Sequence, residues 1–186
     1  MFNNEGLRLT GYWPGGKSGV TIGYGVDLST VKASDLSNWG VSQAGINALT
    51  PVLGLAGTAA SNAVAAGAPA ISNADALAAS NGVFNKNIGI AVGQFNAQSA
   101  IPFDSLPANV QTAVADIAFM TPYLQTAAPK FFSDIVSGNW SSAVSELLNW
   151  NGNNADPNLA RHQRDANLIN SQISANTIPG ASTCQK

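Results

Sequence analysis

The chain reads as an α+β fold that is mostly helical, with a small N-terminal lobe built on a β-hairpin and a larger helical lobe. Three observations predict it. Val20 to Val26 alternates strand formers with Gly, the pattern of a short, twisted hairpin whose backbone something else approaches closely. From about Ser34 onward strand signals disappear and helical patterns follow. The 186 residues fit one domain, or one domain with two lobes, and are enough to bury a core. We place the N-terminal lobe at about residues 1–53, the helical lobe at about 54–178 and a loose tail at 179–186. A groove between the lobes would suit an extended ligand.

Taken in order, residues 3–12 are predicted as a first helix, capped by Asn3 or Asn4. Glu5 then lies in its first turn, where the helix dipole favours negative charge. Gly11 and Pro14-Gly15-Gly16 end it. After the hairpin, Ser42 caps a helix reaching about Leu53, with Pro51 able to shorten it. Ala56 to Ala79 holds twelve alanines, read as two helices around a Gly67-Ala68-Pro69 turn, the second starting at Ser72. Asn81-Gly82 looks like an interruption, and Ile88 to Phe95 is apolar without a clear period. Ser105-Leu106-Pro107 predicts a helix start, with Ser as cap and Pro in the first turn. Val110, Val114, Ile117 and Ala118 then share a face until Pro122. A helix through Phe131, Phe132, Ile135 and Val136 stops at Gly138, and another begins at Ser141 or Ser142 and carries Val144, Leu147, Leu148 and Trp150. Asn151 to Asn154 is a loop, and Asp156-Pro157 opens a final helix with Leu159, Leu168, Ile169 and Ile173 on its apolar side.

Composition removes several functions. Only 10% of residues are charged and the net charge is -2, with no Lys/Arg run, so nucleic-acid binding is not expected. The single Cys184 excludes a disulfide framework and a cysteine-rich metal site, and reads as an unpaired thiol. The single His162 removes His-cluster metal sites and argues against a Ser/His/Asp triad. No metal or cofactor is expected. No stretch approaches the about 18 apolar residues of a membrane span. Met-Phe-Asn-Asn-Glu lacks the basic and apolar regions of a signal peptide, so export would need another carrier or a leader outside this sequence.

The chemistry concentrates in Glu5 to Leu28, EGLRLTGYWPGGKSGVTIGYGVDL. The chain has two glutamates, Glu5 and Glu146, and Glu146 reads as a solvated helix residue. Each member of Glu5, Thr21 and Asp27 also has a plain explanation. Glu5 complements a helix dipole, Asp27 caps the turn before Leu28-Ser29-Thr30, and Thr21 is a strand residue. Together they form a chemical set. Glycoside hydrolysis needs a protonated acid at the leaving oxygen and a second carboxylate that activates water, stabilises positive charge or attacks directly. A hydroxyl beside that carboxylate can hold the attacking water. Gly23 and Gly25 would let a sugar come close without obstruction.

EGLRL, a Tyr, a Gly-rich turn and then TIGYG resemble the N-terminal signature of the phage-type lysozymes. GVTIGYGVDL resembles the branch containing pesticin-like muramidase toxins and related phage endolysins. In familiar phage lysozymes the second acid lies in the hairpin turn, but Pro14-Gly15-Gly16-Lys17-Ser18-Gly19 has none. In the pesticin-like branch it follows the Thr by six residues, the spacing of Thr21 and Asp27. The resemblance implies Glu5 as general acid, with its pKa raised by partial burial, Asp27 as second carboxylate and Thr21 as positioner of water. It also implies a lysozyme-like fold and cleavage of the β-1,4 bond between N-acetylmuramic acid and N-acetylglucosamine. Leu106-Pro107 to Phe119 resembles the family's central helix. Phe131 to Trp150, with Gly138-Asn139-Trp140, resembles its helix, Gly-Asp-Trp, helix segment, and Asp156 to Arg164 its closing Arg-bearing helix. The Ala-rich region 54–80 matches nothing specific in the family.

Other residues divide between packing and binding. Trp140 and Trp150 lie at helical core positions, whereas Trp13 and Tyr24, beside the proposed site, are the candidates for sugar contacts. His162 reads as structural, and at least one of Arg161 and Arg164 as half of an ion pair. Val26 stands where many phage lysozymes have His, and the slightly acidic, charge-poor chain favours short-range delivery to the wall over diffusion to it. The expected partners are peptidoglycan glycan strands, with an immunity protein or delivery system if the chain is a toxin, and the protein is expected to be monomeric. It is expected to act on the cell wall, in the periplasm or outside the cell, as an endolysin or an antibacterial toxin. Two rivals remain: a lytic transglycosylase, which needs only the acid, and a non-catalytic wall-binding or virion structural module.

Overall fold

A computed structural model describes residues 6–150 and 158–179. The elements are strands β1 (Arg8–Tyr12), β2 (Thr21–Gly23) and β3 (Val26–Asp27), then helices α1 (Ala33–Asn38), α2 (Gln43–Leu49), α3 (Thr58–Gly67) and α4 (Asn73–Gln98). There follow α5 (Ala108–Met120), α6 (Leu124–Ala127), α7 (Pro129–Val136), α8 (Trp140–Leu148) and α9 (Leu159–Ser174). The chain divides into two compact units, Met1–Asn85 and Lys86–Lys186.

In the first unit the strands form an antiparallel sheet in the order β1-β2-β3. This corrects the expected helix over 3–12: Arg8 to Tyr12 is a strand, and residues 3–5 lie outside the described residues. Long-range pairing decides the matter. One edge of β1 pairs with β2. On the other, Gly11 N donates to Pro69 O (2.8 Å) and Ile71 N to Leu9 O (2.9 Å). A segment whose apolar residues fit either period takes the conformation its neighbours can pair with. The expected close approach to the hairpin is present. Gly23 has φ +63°, and a Cβ there would meet Ser80 Oγ at 2.4 Å, so α4 packs directly on the hairpin backbone.

The Ala-rich stretch does form two helices. Residues 54–80 pack within the first unit, where Ala60, Ile71, Ala76 and Ala79 join Val20, Ile22, Val26 and Leu28 in one core. Small side chains allow this helix-to-sheet contact. Asn81-Gly82 does not interrupt α4. A Cβ on Gly82 would come within 2.0 Å of Trp39 Cγ, so this Gly makes room for a ring. That contact offsets the about 1 kcal/mol a mid-helix Gly costs.

Asp75 ties this unit together. Its Oδ1 accepts from Ser42 N (2.7 Å), and its Oδ2 from Ser42 Oγ (3.0 Å) and Ser72 Oγ (2.7 Å). Each serine also caps its own helix, Ser42 Oγ accepting from Gly45 N and Ser72 Oγ from Asp75 N. One carboxylate therefore joins the N-termini of α2 and α4. The Ser42 N–H, with the Ser72 hydroxyl next, holds its pKa below the usual carboxylate value.

The second unit packs α5, α7, α8 and α9 around Phe95, Ile117, Phe131, Ile135, Leu147 and Ile169. Val110, Val114, Ile117 and Ala118 are all buried, as their spacing predicts. Two helix starts are corrected. Phe103–Ser105 is a 3₁₀ turn and Pro107 takes the N-cap of α5, because a residue before Pro is driven to extended backbone. Asn139, not a serine, precedes α8, which begins at Trp140. The short α6 was not expected. The Asn151–Asn154 loop and the Asp156-Pro157 helix start lie outside the described residues.

Arg161 lies on the buried side of α9 and makes two hydrogen bonds to Asp116, Nε to Oδ2 at 2.6 Å and Nη2 to Oδ1 at 2.8 Å. Such a planar fork is the geometry in which a buried guanidinium matches a carboxylate. Asp165, beside Asp116, has its pKa pushed up to about 8 by burial and then by the Asp116 charge, against the lowering effect of Arg161 and Arg164. His162 is buried and stacks on Trp150 at 4.5 Å, which makes it a packing residue. Glu146 pairs with Lys130 at 3.9 Å.

Asp75→Ala is expected to lower unfolding free energy by about 1–3 kcal/mol, because it strands one backbone donor and two hydroxyls. Because its folded pKa is depressed, the Asp75 contribution is present above the unfolded pKa near 4 and lost as pH falls through the lower folded value. Thermal denaturation of the variant should therefore show a shallower acid limb. Asp165 has the opposite sign. Its raised folded pKa means stability falls as pH rises from the unfolded value to about 8. Asp165→Asn keeps a neutral donor and should raise Tm at pH 8 by about 2–4 °C or more, with little change at pH 4. Equal Tm shifts at both pH values would contradict that account.

Candidate active site

The hairpin brings two of the three expected catalytic residues together. Thr21 and Asp27 are direct cross-strand partners in the β2–β3 pair, with Ile22 opposite Val26. Their six-residue separation puts Tyr24 at the centre of the turn. Residues directly opposite in an antiparallel pair lie about 4.5–5.5 Å apart and project on one face. The third residue, Glu5, lies outside the described residues.

The Asp27 carboxylate is held by backbone. Gly19 N is 3.1 Å from both oxygens, and Ser29 N donates to Oδ1 at 2.8 Å. These contacts make Asp27 the cap of the 3₁₀ turn Leu28–Thr30, as its plain explanation anticipates. They leave Oδ2 with spare acceptor capacity, since it shares only the Gly19 N–H. Asp27 remains half-buried, whereas Thr21 is only 5% exposed. Thr21 Oγ1 donates to Gly19 O across 3.4 Å, which leaves its lone pairs free to accept. Thr21 and Asp27 are thus both acceptors on one face, the polarity needed to bind the two hydrogens of a water.

Gly19, Ser29 and Ser80 are supporting residues that the sequence reading did not single out. A Cβ on Gly19 would lie 2.4 Å from Asp27 Oδ1 and 2.7 Å from Ser29 N, so only Gly admits the carboxylate. Ser80 Oγ accepts from Tyr24 N at 3.0 Å and donates to Ala76 O at 2.7 Å. The signals were present. Asp followed two residues later by Ser is an Asx-type pattern, and Ser80 is a polar residue ending a run of alanines. Of the proposed sugar contacts, Tyr24 is half-buried at the turn. Trp13 packs on the first unit's core and donates its indole N–H to Ser18 O at 3.2 Å.

Elsewhere, a cavity of about 140 Å³ in the second unit is lined by Phe95, Ile101, Leu106, Ile135 and Trp140 among others, and none of its lining residues is titratable. Among the described residues there is no group of three or more His, Cys, Asp or Glu placed to hold a metal. Nor, among them, is any helix long and apolar enough to cross a membrane.

The chain that carries this hairpin matches a family model. The family described as "Pesticin: Bacterial toxin homologue of phage lysozyme, C-term" covers residues 1–141. The chain belongs to this family. No curated protein matches it. Family membership and the small antiparallel sheet within a mostly helical chain give a lysozyme-like α+β fold. They support a peptidoglycan-lytic or toxin role of the muramidase type.

If Asp27 is the second carboxylate of a wall-cleaving site, Gly19→Ala should displace it and lower clearing of purified sacculi about 10²-fold, the usual consequence of a misplacement near 1 Å. Circular dichroism should show the helices intact. Undiminished clearing would mean that the Gly19 cradle has no part in the reaction.

Proposed function

We propose that the protein is a muramidase that hydrolyses the β-1,4 bond between N-acetylmuramic acid and N-acetylglucosamine, as an endolysin or an antibacterial toxin acting on the cell wall. In this reading Glu5 donates a proton to the leaving glycosidic oxygen. Asp27 Oδ2 accepts one hydrogen of a water and takes its proton as the water attacks the anomeric carbon. Thr21 Oγ1 accepts the other hydrogen, so the water's free lone pair faces the sugar. Trp13 and Tyr24 offer aromatic surface to the strand. The observation that carries the reading is the cross-strand placement of Thr21 and Asp27 as paired acceptors. A water held between two acceptors is in place before bond breaking, which saves the entropy of recruiting it. Such a water favours inversion, for which the two carboxyl groups stand about 6.5–9.5 Å apart.

A second reading has its own support. Asp27 caps a turn and Thr21 is almost buried, so both could be structural and only Glu5 chemical. The enzyme would then be a lytic transglycosylase, in which the muramoyl C6 hydroxyl attacks the anomeric carbon and an anhydro end forms. A non-catalytic wall-binding module would bind sacculi and release nothing.

Mass spectrometry of muropeptides released from purified sacculi separates the three: reducing ends for hydrolysis, anhydro ends for transglycosylation, no release for binding. Under the muramidase reading Glu5→Gln abolishes release while the fold is kept. Asp27→Asn is nearly as harmful, and Thr21→Ala costs about 10²-fold. Full activity of Glu5→Gln would end both enzymatic readings.

A further inference from the structure

The catalytic face carries more than Thr21 and Asp27. Tyr12 is the β1 partner of Thr21, as Asp27 is its β3 partner. Tyr12, Thr21 and Asp27 therefore form one row across the sheet, their side chains on one face. With strands about 4.8 Å apart, Tyr12 lies about 10 Å from Asp27. The guanidinium of Arg8 sits over the Tyr12 ring, 4.4 Å from its centroid. Arg8 is exposed and Tyr12 half-buried. Among the described residues no carboxylate pairs with Arg8, whereas Arg161 is locked in a buried fork.

This arrangement has a chemical consequence. The ring supports the guanidinium from one side, while Arg8 as a whole stays exposed, so its five N–H donors are open to a ligand. A planar fork of donors held in this way is pre-organised for a planar, two-oxygen acceptor. Neutral sugar hydroxyls do not match it in both geometry and charge. A carboxylate does.

We propose that Arg8, stacked on Tyr12, is a specificity-determining residue that receives a carboxylate of the muramoyl unit bound beside Thr21 and Asp27. The inference rests on the muramidase reading and names the group that makes the site prefer muramoyl strands over neutral glycans. Two carboxylates share this chemistry: that of the lactyl group where the peptide stem has been removed, and those of the stem itself. Arg8 acts on binding, not on bond breaking, so its loss raises KM and leaves kcat nearly unchanged.

The test is binding of soluble muropeptide tetrasaccharides to Glu5→Gln protein, with and without Arg8→Gln. Three ligands are compared: stem-bearing, stem-stripped, and the stem-bearing form with every carboxylate converted to its methylamide. Arg8→Gln is expected to weaken a carboxylate-bearing ligand about tenfold and to reduce the salt dependence of binding. The methylamide should bind both proteins equally weakly, and Arg8→Lys should recover part of the loss. Loss on stem-stripped strands assigns the lactyl carboxylate, and loss confined to stem-bearing strands assigns the stem. Equal affinities with and without Arg8, an equal loss on the methylamide, or no binding by either protein would overturn the proposal. Absence of muropeptide release by the unaltered protein would instead remove the muramidase reading, and the Arg8 comparison, which needs no turnover, would still be read.

Discussion

The Asp27 carboxylate closes the hairpin from below. By taking the N–H of Gly19 on one side and of Ser29 on the other, it joins the end of the Gly-rich turn to the start of the 3₁₀ turn. The rest of the first unit builds on that closure. Leu28 N bonds to Val20 O, Ile22 and Val26 turn to the core, and Gly23 is left bare for α4 to settle against. Removing the hairpin's geometry would remove the surface on which the Ala-rich helices pack. A residue with this structural duty can also have a chemical one, because a carboxylate has more acceptor sites than the turn uses.

Charge is used sparingly and locally in this protein. With 10% charged residues, the surface does not depend on ion pairs, and several acids are instead buried. Asp75 joins two helix N-termini, Asp116 receives the Arg161 fork, and Asp165 stays protonated beside it. Both units thus rely on a buried carboxylate that links parts of the chain distant in sequence. Such links are costly to break, since each leaves buried polar groups without partners. Asp75, with its pKa lowered, and Asp165, with its pKa raised, contribute to stability with opposite dependence on pH.

Much of this was legible in the chain. The Gly-punctuated β-run, the Ser42 and Ser72 caps, the Gly67-Ala68-Pro69 turn and the apolar face of α5 all follow from local chemistry, and the structure has each of them. Two of the misreadings come from contacts remote along the chain, and the third is local. Arg8 to Tyr12 is a strand because of Pro69, Ile71 and β2, all remote in sequence. Gly82 sits inside a helix because Trp39 needs its space, and Ser105 fails as a cap because Pro107 acts on the residue before it. At the site, the six-residue spacing of Thr21 and Asp27 was visible, but not the Gly19 backbone that holds them.

The sequence by itself determined the family and an α+β chain rich in helix, and it singled out Glu5, Thr21 and Asp27 as candidates, because these depend on residue types at short spacing. The tertiary structure decided what each residue faces. It set Thr21 opposite Asp27 with both as acceptors, placed Tyr12 and Arg8 on the same face, and gave Asp75 and Asp116 their distant partners. Facing is decided by strand register and by contacts far apart along the chain, and no local pattern encodes those.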